Sequence, residues 1–555
     1  MRKKGSSLGC LSFILLLVIT CAAGIYAWKR YGPTKELADL DELYQTQAED
    51  EVTVFLNYEM QEARGIYEEG QTYLPIEWVN QHLNERFYWD ANEDLLVYAL
   101  PDEILTAPEG TKGAGGRRLF IRRGEEVLLS LGLVLNYTDI RVNAYDSGKQ
   151  KRVFIQDTWD EVAVAVISKN SKVRVRGGVK SPIITDAVKG EEVIVLEIME
   201  RWSKVVTQDG HIGYMPGRRL AGLTAEKPVS SFRAPEYRNI SLDEKIILVW
   251  HQVTLEAANG VLDELMAQTK GINVIAPTWF TLSDNEGNYE SLADRSYVEK
   301  AHEKGIQVWA VVDNFSRECS KNVRSEVLLS RTSVRRRLIG NLMEEADTYG
   351  FDGINLDFES LKEEAGVHYI QFIRELSVSC REKGLVLSVD NYVPAGYNYF
   401  YNRREQGIVA DYVIIMGYDE HYAGGEAGSV ASIGYVENGI RDTLELVPRE
   451  KVINAVPFYT RLWTQSGEKL SSKAMGISAA MKWIEEHGAE LQWNEELGQY
   501  YTQAETEDGD AMLWMEDSRS LKLKMDVIKE EDLAGVACWK LGLEPQEIWD
   551  VISWE

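Results

Sequence analysis

Residues 352–359 read Asp-Gly-Ile-Asn-Leu-Asp-Phe-Glu, in which apolar residues alternate with polar or acidic ones at the period of a β-strand. Asn355, Asp357 and Glu359 would therefore share one face of that strand, with about 6.7 Å between successive members of the set. Soluble proteins rarely place carboxylates along one face of a core strand unless the acids take part in chemistry. Because two acids this close cannot both ionise at low cost, one should keep its proton near neutral pH, and Glu359 could then act as a general acid.

The elements that must position these acids form a repeating pattern of apolar strands and amphipathic helices over residues 241–555. We predict strands at residues 246–250, 274–278, 308–313, 353–359, 386–390, 412–418, 452–457 and 535–539. Eight such units in about 310 residues favour a (β/α)8 TIM barrel of the α/β class over a doubly wound sheet. Glu359, as the last residue of the fourth predicted strand, should reach the barrel mouth, where the active sites of such barrels lie. The longest gap, about residues 461–517, predicts a small inserted group of strands near the cleft.

The stretch 352–359 resembles the signature of family 18 glycosidases, which are chitinase-like enzymes and share the pattern Asp-Gly-x-Asp-x-Asp-x-Glu. This chain has Asn355 where most members have Asp. Acids two residues apart project from one wall, so the nucleophile of a retaining reaction has to come from elsewhere, and in this family the substrate's own acetamido oxygen supplies it. The resemblance implies that Glu359 protonates the leaving oxygen and later activates water, while Asp357 orients and stabilises the acetamido N–H. We expect Asn355 to hydrogen-bond Asp357 and to shift the pH profile without abolishing activity.

Two further strand ends carry the same resemblance. Residues 416–419, Met-Gly-Tyr-Asp, match the Met-x-Tyr-Asp element of the family's sixth strand, and residues 535–539 match its eighth strand. The resemblance implies that Tyr418 donates a hydrogen bond to the acetamido carbonyl and that Trp539 forms an aromatic floor under the reactive sugar. The other predicted substrate contacts are Asn355, Met416, Asp419, Trp250, Trp279 and Tyr392. Each of the last three aromatic residues could instead belong to the hydrophobic core.

The N-terminal region predicts a membrane anchor. Three basic residues precede an uncharged run over residues 8–28, which as a helix would be about 31 Å long and could cross a bilayer. The apolar part of a cleavable signal is usually shorter, although residues 21–23 would pass as a cleavage site and a lipoprotein box is a further alternative. We expect an uncleaved single-pass anchor in the plasma membrane, with residues 1–7 in the cytoplasm, a stalk over residues 29–51 and the remaining domains outside a bacterial cell.

Two small modules are predicted between the stalk and the barrel. Residues 52–158 contain the order strand, short helix, strand, strand twice and resemble the duplicated amine-oxidase-N-terminal-like module of bacterial surface proteins; a spacer without a site is the alternative. Residues 160–223 hold short alternating strands and resemble a bacterial SH3-like β barrel, whose aromatic residues could bind a ligand or only complete a small core. A linker follows over residues 224–240.

Composition excludes several classes of partner. The net charge of −28 argues against nucleic acid and anionic lipid, which both require basic surfaces. Five cysteines in this spacing imply no disulfide framework. We expect no cofactor and no metal, because no His-rich or Cys-rich cluster has metal-binding spacing and no phosphate loop is present.

The motifs together predict a membrane-anchored hydrolase that cleaves β-1,4 bonds at N-acetylglucosamine residues by a retaining, substrate-assisted reaction. Asn355, together with Phe358 before the acid, resembles the branch found beside wall-binding modules in spore-forming bacteria, so the expected substrate is peptidoglycan or a related chitin-like glycan. One alternative is a chitinase-like lectin that binds glycan without cutting it, although such lectins usually lose the Glu that is present here. Another is a wall-anchored scaffold with a vestigial barrel.

Overall fold

The computed structural model describes residues 7–113 and 115–554, which fall into two compact units. The first unit comprises Met1–Phe87 and Pro108–Ala234, and the second comprises Tyr88–Ala107 and Pro235–Glu555. Residues 1–6, which make up nearly all of the predicted cytoplasmic tail, lie outside the described residues.

The first unit begins with the helix Ser7–Tyr31, which is followed by the short helix Leu40–Tyr44. The segment Ser12–Tyr31 of this helix is long and apolar enough to cross a membrane. A signal sequence near an N-terminus would have the same property. Lys29 and Arg30 lie in its last turn, where basic side chains complement the negative end of the helix dipole.

Two seven-stranded sheets complete the first unit. In spatial order the first sheet contains Phe120–Arg123, Glu126–Ser130, Gln71–Pro75, Glu59–Glu68, Glu51–Leu56, Lys151–Gln156 and Arg141–Tyr145. The helices Ile76–His82 and Leu131–Tyr137 each follow directly on a strand of this sheet. The second sheet contains Ile183–Ala187, Ser171–Arg174, Ile212–Pro216, Trp202–Val206, Glu192–Ile198, Val162–Ile167 and Leu220–Glu226. The amine-oxidase-like and SH3-like assignments of these regions stay predictions.

The second unit is built on a closed barrel of eight parallel strands, which confirms the predicted fold. Its strands are β1 (Ile246–His251), β2 (Val274–Pro277), β3 (Gln307–Asp313), β4 (Gly353–Asp357), β5 (Val386–Tyr392), β6 (Tyr412–Met416), β7 (Val452–Pro457) and β8 (Gly535–Trp539). β8 pairs with both β7 and β1, and β2 pairs with β3, so the sheet has no open edge between these strands. The predicted ends of three strands are wrong by two residues. β4 ends at Asp357 and β6 at Met416, so Glu359 and Tyr418 lie in the loops beyond the strands, whereas β5 continues past Asp390 to Tyr392.

Helices pack around the outside of the barrel. They are α1 (Leu262–Met266), α2 (Arg295–Glu303), α3 (Thr332–Tyr349), α4 (Gly366–Lys383), α5 (Arg403–Val409), α6 (Ile433–Leu444) and α7 (Ser518–Glu530), with a further short helix at Ser325–Leu329. Both long helices end at a glycine with positive φ, Gly350 after α3 and Gly384 after α4, a conformation that other residues adopt at a cost. One apolar layer fills the barrel interior around Trp309 and Ile414, and a larger one lies between strands and helices.

The barrel unit contains two smaller sheets in addition to the barrel. Between β7 and β8 the chain forms an antiparallel sheet of Tyr459–Ser466, Lys469–Gly476, Gln492–Asn494, Gln499–Thr506 and Gly509–Met515, with the helix Ile477–His487. Near the start of the chain, the strands Tyr88–Asp90, Leu95–Ala99 and Ile104–Pro108 form a small sheet. Asp90 of that sheet accepts hydrogen bonds of 2.6 Å from both the backbone N–H and the hydroxyl of Thr332, so it lies at the first residue of α3.

Candidate active site

Three aspartates lie side by side at the C-terminal ends of neighbouring strands. The register of β3 with β4 pairs Asp313 directly with Asp357. The register of β4 with β5 pairs Asn355 with Ser388 and Leu356 with Val389, so that Asp390 is the next residue on the side of Asp357. Adjacent strands are about 4.8 Å apart, so the row concentrates negative charge over a short distance.

Asp313 is the member of this row that holds a loop in place. Its Oδ2 accepts hydrogen bonds from the hydroxyls of Thr281 (3.0 Å) and Ser316 (2.7 Å). Its Oδ1 accepts from the backbone N–H groups of Phe315 (3.1 Å) and Ser316 (2.9 Å). Four donors therefore hold the Asp313 side chain in place beside Asp357.

Asn355 is fully buried below these acids, and its amide is committed to other partners. Its Oδ1 accepts a hydrogen bond of 2.8 Å from the Trp250 indole, and its Nδ2 donates to the Ser388 hydroxyl (3.0 Å) and to Oδ1 of Asp390 (2.8 Å). An amide nitrogen has two hydrogens, and both are used. The expected hydrogen bond from Asn355 to Asp357 is therefore wrong: the acid that this amide binds is Asp390.

Asp357 is buried at the end of β4, and its Oδ1 has no hydrogen-bond partner among the residues that the structure describes. Burial raises the pKa of this carboxyl well above its ordinary value, and the charges of Asp390, Glu359 and Asp313 raise it further. A buried oxygen without a hydrogen-bond donor costs free energy. A ligand that donates a hydrogen bond to Oδ1 of Asp357 would remove that cost.

Glu359 lies half-buried two residues beyond β4, and its backbone is fixed by Asn314. The Asn314 side chain donates to the Glu359 carbonyl (3.0 Å) and accepts from the Glu359 N–H (2.9 Å). Burial raises the pKa of the Glu359 carboxyl, a hydrogen bond from Tyr392 opposes that shift, and the charges of Asp419 and Asp313 add to it. A glutamic acid with a raised pKa can keep its proton closer to neutral pH, as a general acid must.

Tyr418 and Asp419 follow β6. Burial raises the pKa of the Tyr418 hydroxyl well above its ordinary value. Electrostatic interactions with Tyr459, Asp357, Asp390 and Glu359 raise it further, so this phenol lies close enough to the acids to interact with them. Asp419 has a φ of 57°, a left-handed conformation that Asp tolerates better than most residues. Its Oδ1 accepts a hydrogen bond of 2.6 Å from the Tyr459 hydroxyl.

The predicted aromatic contacts fall into different environments. Trp539 is partly exposed at the end of β8, and its ring centroid lies 5.9 Å from that of Trp250, at an interplanar angle of 60°. Trp250 is buried and supports the site through Asn355. Tyr392 and Met416 are paired in register on β5 and β6. Trp279 is 0% exposed and donates to Asn259, so the structure does not bring its ring to the site.

Three residues of the site were missed from the sequence. Asp313 and Asn314 come directly at the end of β3, and Asp390 lies on β5. The alternation of Ser388, Asp390 and Tyr392 along β5 is a signal that could have revealed the third acid, because residues two apart share a face. Among the described residues no group of three or more His, Cys, Asp or Glu could hold a metal ion.

A closed (β/α)8 barrel with a glutamate of raised pKa, a buried aspartate, tyrosines and a tryptophan at its mouth is typical of barrel glycoside hydrolases. The model of glycosyl hydrolases family 18 matches residues 272–544. The barrel domain of this chain therefore belongs to family 18 of the glycoside hydrolases.

Known proteins and solved structures are similar to parts of this chain. A cortical fragment-lytic enzyme of Bacillus subtilis (strain 168) is 28% identical over 252 residues, which are 44% of this chain and 58% of that protein. An uncharacterized glycosylase of the same organism, YvbX, is 26% identical over 294 residues, or 51% of this chain and 84% of that protein. The crystal structure of a chitinase from Chromobacterium violaceum is similar in fold, with a TM-score of 0.51 and 23% identity over 56% of this chain and 98% of that chain. The chain thus spans less than two thirds of the first of these relatives.

Proposed function

We propose that this protein is a membrane-anchored glycoside hydrolase that cleaves β-1,4 bonds after N-acetylglucosamine in a cell-wall glycan of the peptidoglycan type. The observation that carries the proposal is the pair formed by Glu359, whose pKa is raised, and Asp357, whose buried Oδ1 is left without a partner. The N–H group of a substrate acetamide would donate the hydrogen bond that this oxygen lacks. The name of the cortical fragment-lytic relative favours peptidoglycan over other polymers of N-acetylglucosamine.

In the proposed reaction Glu359 gives its proton to the glycosidic oxygen as the bond from that oxygen to the anomeric carbon breaks. The carbonyl oxygen of the substrate's acetamide forms the new bond to the anomeric carbon and closes an oxazolinium-type ring. Asp357 accepts the acetamide N–H, and Tyr418 donates to the acetamide oxygen and holds it for attack. Trp539 lies under the apolar face of the sugar.

The second half of the reaction reverses these roles. The Glu359 carboxylate takes a proton from water as the water oxygen bonds to the anomeric carbon, and the ring opens to restore the acetamide. Two displacements at one carbon retain its configuration. Asp419 lines the sugar site, held by Tyr459.

The anchor is the second part of the proposal. The apolar helix that begins at Ser7 would hold the chain in the plasma membrane, with the barrel on the outer side, where wall glycan is found. The absence of acidic residues from this helix agrees with a lipid environment.

The test is cleavage of defined glycans by the full-length protein in detergent. Purified peptidoglycan and chitin oligomers are incubated separately, and the new reducing ends are reduced with borohydride and identified after acid hydrolysis. Because acid hydrolysis also removes the acetyl groups, we expect glucosaminitol, the product of a reduced N-acetylglucosamine end, from peptidoglycan. Muramicitol, the product of a reduced N-acetylmuramic acid end, would overturn the proposed specificity, and retention of glycan without new reducing ends would favour the lectin alternative.

A further inference from the structure

The family signature places a carboxylate at the position of Asn355, and this chain replaces that carboxylate with an amide. The structure shows where negative charge occurs instead. Asp390, on the neighbouring strand β5, is buried, and its Oδ1 accepts a hydrogen bond of 2.8 Å from the Asn355 amide. The amide that replaced the acid therefore serves as a donor to another acid.

The strand register brings Asp390 next to Asp357. Residues 353–356 of β4 pair in order with residues 386–389 of β5, and Asp357 and Asp390 are the residues that follow on the two strands. Asn355 donates to Asp390 and has no hydrogen left for Asp357, because its second amide hydrogen goes to Ser388. Two buried carboxyl groups thus lie side by side, and the free Oδ1 belongs to Asp357.

We propose that Asp390 is a positioning residue that supplies the carboxylate missing at position 355, so that Asp357 and Asp390 share a single proton across β4 and β5. The inference rests on the proposed glycosidase function and deepens it. Two like charges at neighbouring buried positions are expensive, whereas one proton between them leaves a single charge. The donor from Asn355 favours that charge on Asp390, which places the proton on Asp357 in the resting enzyme.

The shared proton gives Asp357 a way to change its charge during the reaction. As the substrate acetamide donates its N–H to Asp357, the carboxyl proton of Asp357 moves to Asp390, and the pair keeps one proton and one negative charge throughout. The charge then lies next to the ring in which positive charge develops. The other titratable groups that interact with the two acids are Asp313, Glu359, Tyr369, Tyr401 and Tyr418. None of these is a cation that could neutralise the pair.

The test compares a single variant of Asp390 with a double variant in which Asn355 and Asp390 exchange residue types. Asp390→Asn leaves Asp357 as a single buried acid, whose one pKa falls between the two macroscopic values of the pair. We expect the acid limb of the kcat/KM profile to move to higher pH by at least about one unit and kcat to fall about a hundredfold. The double variant Asn355→Asp with Asp390→Asn restores one carboxylate and one amide in exchanged places, and we expect it to recover most of kcat and the parental acid limb.

Asp411→Asn is the matched control, because Asp411 is also a buried aspartate of the barrel but binds the backbone N–H groups of Ile240 and Leu387. Its variant should keep the parental pH profile, whatever it does to the melting temperature. If Asp390→Asn lowers kcat without moving the acid limb, or if the exchanged variant recovers nothing while melting normally, Asp390 has only a structural role and the inference is wrong.

A second measurement does not depend on turnover. Infrared spectra of the parent at neutral pH should contain the C=O band of a protonated carboxyl that both Asp357→Asn and Asp390→Asn remove. A parent with this band but without activity would refute the proposed function and leave the shared proton standing. An active parent in which Asp390→Asn leaves the band unchanged would refute the shared proton alone.

Discussion

The Tyr392 hydroxyl donates a hydrogen bond of 2.7 Å to Oε2 of Glu359, and the same hydroxyl accepts one of 3.1 Å from the backbone N–H of Ser360. Ser360 has a φ of 53°, which turns the chain sharply just after the acid. The tyrosine therefore fixes the direction of the Glu359 carboxyl and stabilises its charged form against the effect of burial.

Removing this hydroxyl should alter the pH dependence of activity. Tyr392→Phe takes away a donor to the carboxylate, so the pKa of Glu359 should rise further. A general acid works while protonated and loses activity as pH rises through its pKa, so the basic limb of kcat should move to higher pH. Tyr399→Phe, which removes an exposed tyrosine hydroxyl, is the control and should leave the profile unchanged. A basic limb that moves to lower pH in Tyr392→Phe would contradict the assigned role.

Glu359→Gln should remove catalysis and keep binding. The amide preserves the shape of the side chain but has no acidic proton for the leaving oxygen, so kcat should fall by about 100-fold to 10,000-fold while the dissociation constant for glycan changes little. Glu364→Gln changes an exposed acid in the next loop and should have parental activity. Comparable turnover in Glu359→Gln and the parent would exclude Glu359 as the general acid.

Substrate assistance predicts a specific pattern of inhibition. A thiazoline analogue of N-acetylglucosamine, which mimics the cyclised intermediate, should inhibit competitively, and Asp357→Asn or Tyr418→Phe should weaken its binding. Substrates with a free amine in place of the reactive acetamide should not be cleaved. Efficient cleavage of deacetylated glycan, without inhibition by the thiazoline, would mean that a protein carboxylate attacks the sugar.

The anchor predicts how protease acts on intact cells. External protease should degrade the barrel and leave a small membrane-bound fragment that contains the apolar helix Ser7–Tyr31. A cytoplasmic protein serves as the control for cell integrity. Protection of the whole chain would contradict the orientation, and release of a shortened mature form would favour a cleaved signal.

A buried ion pair between α3 and α4 predicts a large effect on stability. Arg335 and Glu375 are both 0% exposed and are joined by two hydrogen bonds, of 2.9 Å and 3.0 Å. Glu375→Ala would leave the guanidinium buried without its partner and should lower the free energy of unfolding of the barrel by about 3–5 kcal/mol. Asp347→Ala removes the exposed pair with Lys383 on the same two helices and should cost less than about 1 kcal/mol. Equal losses of melting temperature in the two variants would contradict this difference.

The sequence by itself determined the barrel and the two acids of the stretch 352–359. Alternation along residues 352–359 requires one apolar and one polar face, and the eight strand–helix units leave few other ways to bury their apolar faces. Glu359 and Asp357 could be singled out because their motif is local: their spacing is fixed by a single stretch of chain.

Only the tertiary structure decided which groups surround those acids. Asn355 and Asp390 are 35 residues apart and meet because β4 and β5 pair in one particular register, which no local pattern specifies. Tyr392 reaches Glu359 because β4 ends at Asp357 and the chain turns at Ser360. Trp279 is also aromatic and also lies close to a strand end, but its side chain is in the buried layer and donates to Asn259. The physical reason is that strand pairing and side-chain direction depend on the whole closed barrel, whereas alternation along a strand depends on its neighbours in sequence alone.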